Sequence, residues 1–182
     1  MDAAAALTAF AELERRAEGV YRRFAVTYAG TPELAALWHE MAEIEAGHFA
    51  ALGLAGDAMK NEPTPTAAAP NLTPGAMAAT EKIIATAEQR AADGSLSPGD
   101  AAQLALLLES GELPRIVDLL ARLPAPARAA LGQGMIAGTE DHLHCLERLA
   151  ATSGRADVAE KARALQAMAR GIAQRHAASP HP

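Results

Sequence analysis

Apolar positions recur along this chain with the period of packed helices, and polar residues interrupt them at a few matching places. Between Asp2 and Ala29, the residues Leu7, Phe10, Ala17, Tyr21, Phe24 and Tyr28 fall alternately three and four apart once Glu14 fills the gap. That spacing predicts one helix with a continuous buried seam. Gly30 ends it, and Thr31-Pro32 supplies an N-cap and first-turn pair for a second helix reaching about Leu54. Its stripe is Leu34, Trp38, Met41 and Leu52, with Glu45 and His48 among them. The short link predicts an antiparallel hairpin.

Residues 61–75 read NEPTPTAAAPNLTPG, whose prolines forbid a regular helix or central strand, so this segment is read as a crossover. A helical stretch from about Ala76 to Ala92 follows, closed by Asp93-Gly94, and Ser97-Pro98-Gly99-Asp100 opens a third long helix. Ala102, Ala105, Ile116, Leu119 and Leu123 repeat the seam there, and Glu109 and Glu112 take the intervening positions. Pro114 predicts a kink near Ser110-Gly111. Pro124 and Pro126 punctuate the turn into a fourth helix that ends near Ala151, where Ser153-Gly154 breaks it. A last helix, about Arg155 to Arg175, shows Val158, Ala162, Leu165, Met168 and Ile172 as one face and is expected outside the bundle, with a loose tail from Ala177. The predicted class is all-α: a four-helix bundle of two antiparallel hairpins joined by a long crossover, with a short extra helix in the crossover and a C-terminal helix.

At 182 residues the chain is expected to form a single domain. Half of its residues are apolar and 21% are charged, as in ordinary folded proteins. No apolar run reaches membrane-spanning length, and Met1-Asp2 does not open a secretory signal, so a cytoplasmic protein without a membrane partner is expected. Sixteen basic against 22 acidic residues, without a basic block, argue against nucleic acid. The single cysteine, Cys145, excludes an internal disulfide, a Cys-x-x-Cys pair and a cysteine-built metal site. It is read as a small buried residue, and any metal must be held by oxygen and nitrogen.

A carboxylate in a helix seam is costly unless it is protonated, paired or bound to a cation. Glu14, Glu45, His48, Glu109 and Glu112 all lie in such seams, and Glu45-x-x-His48 sets a carboxylate and an imidazole one turn apart on one face. Fifteen glutamates and six histidines would give about half such a pair by chance, so the spacing alone decides nothing. Its placement on the stripes of three helices gives it weight. Glu14 to Glu45 and Glu109 to Glu140 are both 31 residues, which suggests related halves. Two carboxylates can bridge two cations while a terminal carboxylate and histidine complete each one. The competing reading makes Glu14, Glu45 and Glu109 an exposed or salt-bridged face, with Arg15, Arg16 or Arg115 as partners.

The segments FAELERRAEGVYRRFA, MAEIEAGHFAAL, LALLLESGEL and TEDHLHCL together resemble the rubrerythrin branch of the ferritin-like superfamily, over roughly residues 5–55 and 97–150. The resemblance implies a four-helix bundle with a carboxylate-rich di-iron centre that oxidises Fe(II) or reduces peroxide or oxygen. It implies metal roles for Glu14, Glu45, His48 and Glu109, with Glu112 a further ligand. Manganese or zinc are alternatives to iron, Tyr21 is a candidate to hydrogen-bond a liganding carboxylate, and a homodimer is expected. The family's cysteine-ligated iron module is missing here, so a peroxidase would need an external electron donor.

The fourth helix departs from the family's Glu-x-x-His and leaves two readings. Asp141-x-x-His144 matches the spacing, with Glu140 four residues before His144. The helical phase of Met135, Gly138, Cys145, Leu146 and Leu149 instead turns His142 inward, with Thr139 where the family has glutamate. Phase is the stronger guide, because apolar burial fixes a helix's rotation. On that reading one bridging carboxylate is missing, and the site holds one metal, binds two weakly, or recruits Asp141 or Glu112. From a different functional class, a non-catalytic helical bundle with a degenerate metal site, acting through surface contacts, remains the alternative.

Overall fold

The computed structural model describes residues 3–59, 73–123 and 125–178, and among these it contains six helices and no strand. They are α1 (Ala3–Thr27), α2 (Pro32–Met59), α3 (Pro74–Asp93), α4 (Pro98–Arg122), α5 (Ala125–Thr152) and α6 (Ala156–Ala178). The helix ends follow from local chemistry. Proline opens α2, α3 and α4, where its missing N–H costs nothing. Ser97 caps α4 by accepting from the Asp100 amide at 3.2 Å, and Thr73 caps α3 by accepting from the Ala76 amide at 3.3 Å. Gly94 closes α3 at φ +61°, and Gly154 separates α5 from α6 at φ +70°, both in the left-handed region that favours glycine.

Paired side chains fix the direction of each helix. On α1 and α2, Phe24 packs on Trp38 while Glu14 faces His48, so numbers fall along one helix as they rise along the other. The same reversal relates α4 to α5 through Glu109–His142 and Glu112–Thr139, and α2 to α5 through Leu37–Cys145 and Met41–His142. It also relates α1 to α4 through Tyr21–Glu109 and Phe10–Arg115. Both hairpins are therefore antiparallel, while α2 and α4 run parallel. Two parallel helices cannot be joined by a tight turn, and α2 and α4 are accordingly far apart in sequence, with α3 between them.

α3 uses part of that crossover to cover the bundle. Met77, Thr80, Ile84, Ala87 and Ala91 are its buried face, and the Arg16 guanidinium grips Glu88 at 2.8 and 3.0 Å to hold it on α1. The Pro-rich segment was expected to run to residue 75, but Thr73, Pro74 and Gly75 already form the start of α3, because cap and N1 proline are helix-opening chemistry. The remainder of that segment, residues 61–72, lies outside the described residues, as does the expected loose tail from residue 179 onward. α6 includes Ala177 and Ala178.

Every predicted seam residue of α1, α2, α4 and α5 with a described side chain is buried, apart from half-buried Tyr28 and Gly138. α4 runs unbroken past Pro114. α6 is rotated from its predicted face: Val158, Ala159, Ala162 and Ala169 are buried, Leu165 and Ile172 are half-buried, and Met168 is 45% exposed. Three of the four buried residues on this face are alanines, whose small side chains permit close helix packing. Among the described residues no helix is long and apolar enough to cross a membrane.

Candidate metal centre

Six ligand-type side chains from four helices converge in the middle of the bundle, and each is at most 4% exposed. They are Glu14 on α1, Glu45 and His48 on α2, Glu109 and Glu112 on α4, and His142 on α5. Every one was legible as a polar interruption of an apolar stripe. His48 is the hub of the first half: its Nδ1 lies 3.2 Å from Glu112 Oε1, 3.4 Å from Glu45 Oε2 and 3.6 Å from Glu14 Oε2. Its Nε2 abuts Gly138, where a Cβ would collide with the ring, so the absence of a side chain at Gly138 admits the imidazole.

In the second half, His142 Nε2 lies 3.0 Å from the Met41 carbonyl oxygen, which can only accept, so Nε2 carries the hydrogen. Nδ1 is thereby turned toward the glutamates, 3.0 Å from Glu109 Oε2 and 3.8 Å from Glu112 Oε2. A backbone carbonyl that fixes one ring nitrogen and aims the other is the usual way of orienting a metal-binding histidine. Glu112 presents one oxygen to each imidazole. The two rings stand 5.2 Å apart, centroid to centroid. Tyr21 donates to Glu109 Oε1 at 2.7 Å, and the Thr139 hydroxyl lies 2.9 Å from the Met135 carbonyl and 3.3 Å from Glu112 Oε1.

The other fourth-helix candidates lie elsewhere. Asp141 and His144 are exposed, and Glu140 is half-buried with Arg170 at 3.5 Å. The residue that faces Glu112 is Thr139, so the equal 31-residue separations do not correspond to equal positions. Loops of slightly different length shift the register between the halves, and phase, not separation, selected His142. His39 is exposed beside Glu43. Cys145 is buried, its thiol donating to the Leu37 carbonyl at 3.2 Å, and burial pushes its pKa up to about 12.

Among the described residues no arginine forms an ion pair with the cluster. Arg15 is bonded to Glu12 and Arg16 to Glu88, while Arg115, buried near the site, forms no ion pair with a carboxylate among the described residues. The salt-bridged-face reading of Glu14, Glu45 and Glu109 therefore fails. Left to itself, the cluster is balanced by protons. Burial and the neighbouring Glu14 push the Glu45 carboxyl well above its usual range, and burial lifts Glu109 to about 7 against the pull of His142. Burial opposes charge on both imidazoles, but Glu112 and Glu14 around His48, and Glu109 and Glu45 around His142, raise each well above the ordinary histidine value. Burial likewise opposes charge on Glu112, and the two histidines overcome it and hold this carboxylate well below its usual range.

Glu45 Oε2 and both ring nitrogens of His48 are buried without a hydrogen-bond partner. Three groups of ligand atoms lie close enough together to hold an ion: Glu45–His48–His142, Glu14–His48–Glu112 and Glu109–Glu112–His142. Shared members tie the three into one centre. Orphaned polar atoms of the correct chemistry at one buried point are what a bound cation would satisfy, so this donor set fits a metal. Comparison with protein-family models, curated proteins and solved structures finds no match.

Proposed function

We propose that the chain is a rubrerythrin-like member of the ferritin-like superfamily that holds a non-haem iron centre, most simply di-iron, and oxidises Fe(II) or reduces oxygen or peroxide. Manganese and zinc are the alternative metals. One observation carries the reading: among the described residues four carboxylates and two imidazoles meet in a buried interior, with no arginine ion-paired to them and with Glu45 Oε2 and His48 Nε2 lacking a hydrogen-bond partner. The parallel run of α2 and α4 across a long connection also suits that superfamily.

Iron, when bound, would supply electron transfer toward oxygen or peroxide. The protein's part is to place and balance it. Glu14, Glu45 and His48 would hold one position, Glu109 and His142 the other, and Glu112 faces both. Tyr21 fixes Glu109, and Met41 fixes the tautomer of His142. The apolar walls exclude water and strengthen each charge interaction. With a single cysteine, the chain would draw electrons from a separate donor.

Anaerobic Fe(II) titration of the metal-free protein, with elemental analysis, tests the proposal. About two metal ions per chain are expected for a complete centre, and about one if the missing carboxylate at Thr139 leaves the second position weak. A protein that takes up no iron, manganese or zinc would overturn it. Thr139 favours a second reading, a non-catalytic bundle with a degenerate site, and that outcome would select it.

A further inference from the structure

All six ligands are at most 4% exposed, so a cation can reach them only if part of the protein moves. A cavity with room for about one water molecule lies against the centre, between α1, α3 and α4. Its wall includes Glu14, Glu45, Glu109 and Glu112, and Thr80 and Ile84 of α3 close it. Among the described residues around it, only those of α3 sit on a helix that contributes no ligand. Moving α1, α2 or α4 would take the site apart, whereas moving α3 would uncover four carboxylates and leave every ligand in place.

The way α3 is held permits this. Its apolar contacts come from Met77 and Ile84 and from the small Ala87 and Ala91, which make the closed form the resting one. Two polar clasps complete the hold. One is the Arg16–Glu88 ion pair, whose side chains are 24% and 42% exposed, and the other is the bond from Arg115 Nη1 to Thr80 Oγ1 at 2.8 Å. An ion pair that solvent reaches is weak and readily broken. The C-terminal end of α3 is anchored differently: Gly94 turns the chain at φ +61°, and the Tyr28 hydroxyl donates to the Leu96 carbonyl at 3.0 Å, tying the link before α4 to α1. Release of the clasps therefore frees the body of α3 while its end stays fixed.

We propose that α3 is a lid that swings about residues 94–97 to admit a divalent cation to the glutamates and then closes over it. The inference rests on the metal reading and adds how the buried site is filled. Arg16–Glu88 and Arg115–Thr80 are the contacts that part on opening, and Ile84 returns the apolar cover on closing.

Co(II) uptake by the metal-free protein, followed by visible absorption after rapid mixing, tests this. Arg16→Cys combined with Glu88→Cys, bridged by a short bifunctional maleimide, ties α3 to α1. The same variant capped with N-ethylmaleimide carries equal thioethers without the bridge. The bridged protein is expected to load at least about tenfold more slowly than the capped one and to reach the same final cobalt content, because the bridge blocks opening and leaves the ligands alone. Glu88→Ala removes the ion pair and is expected to load faster than the wild type, with unchanged content. Bridged and capped proteins that load at one rate would overturn the lid and leave the metal reading standing. If the double variant does not fold, Glu88→Ala decides, and a rate no higher than that of the wild type overturns the lid. Failure of the wild type to take up cobalt would overturn both.

Discussion

On the α1–α2 side of the centre, Glu45 Oε2 and both His48 ring nitrogens lack hydrogen-bond partners. On the α4–α5 side, the Tyr21 phenol holds Glu109, the Met41 carbonyl holds His142, and the Thr139 hydroxyl sits beside Glu112. One half is poised but unsatisfied, and the other is already organised by the protein. The difference separates two tasks within one site. Unpaired polar atoms gain most from a cation, so affinity should reside mainly in the ligands of the first hairpin, whereas those of the second are already oriented, Glu109 by Tyr21 of α1 and His142 by Met41 of α2.

Glu45→Ala should have the largest effect. The variant is expected to lose most bound metal, and the metal-free protein should melt higher than the wild type, because a buried carboxyl crowded by Glu14 and with one oxygen unsatisfied has been removed. Elemental analysis and melting curves with and without metal check it. An undiminished metal content would show that the α4–α5 half binds unaided, which would reverse the division of labour.

Next in size is the pH dependence. Glu45, Glu109, His48 and His142 all have raised values, so each binds a proton more tightly in the folded protein than in the unfolded chain. For Glu109, stability is lost as pH rises from the ordinary carboxyl value toward about 7; for the histidines it is lost as pH rises through their folded values. Glu112 runs the other way, losing stability as pH falls through its depressed value. The metal-free protein is therefore expected to be less stable at pH 8 than at pH 6. Metal must displace the same protons, so its affinity should rise roughly tenfold per pH unit for each proton released. Melting temperatures at both pH values, with and without Zn(II), measure this; a metal-induced increment that shrinks from pH 6 to pH 8 would contradict it.

Thr139→Glu restores a carboxylate to the organised half. It is expected to tighten the weaker metal about tenfold and to lower the stability of the metal-free protein by about 1–3 kcal/mol, the cost of overpacking and of another buried acid. Competition with a chelator and thermal melts separate the two effects. If the second metal is not strengthened, Thr139 is not the gap in the site.

Most of the centre was legible because burial phase and chemistry agreed: Glu14, Glu45, His48, Glu109 and Glu112 fall in register with large apolar neighbours, and the same rule chose His142 over His144. What was not legible depended on other physics. Equal sequence separation pointed to Glu140, but residue counts across a loop do not fix helix rotation, and Glu140 pairs with Arg170. Arg115 was a natural partner for the glutamates on charge alone, yet its length and Gly111 direct it to Thr80. On α6 the apolar bulk of Met168 misled, since alanines made the contact. The notch at Gly138 that admits His48 has no sequence signal, because it concerns α2 and α5 together.

Tyr21→Phe tests the organised half with the smallest perturbation. The phenol is buried, and burial with the nearby Glu109 charge holds its pKa well above the usual tyrosine value, so it remains a neutral donor throughout the working pH range. Removing the hydroxyl leaves Glu109 Oε1 without that donor in a buried setting, which should lower stability by about 1–3 kcal/mol at pH 8. The loss should shrink toward pH 6, where Glu109, with its value near 7, is increasingly protonated and depends less on the donor. Metal content should stay near wild type, because the hydroxyl holds a ligand and is not itself one. Denaturant unfolding at both pH values, beside elemental analysis, gives the comparison. If metal were lost along with the hydroxyl, Glu109 would need Tyr21 in order to bind, and affinity would not reside mainly in the ligands of the first hairpin.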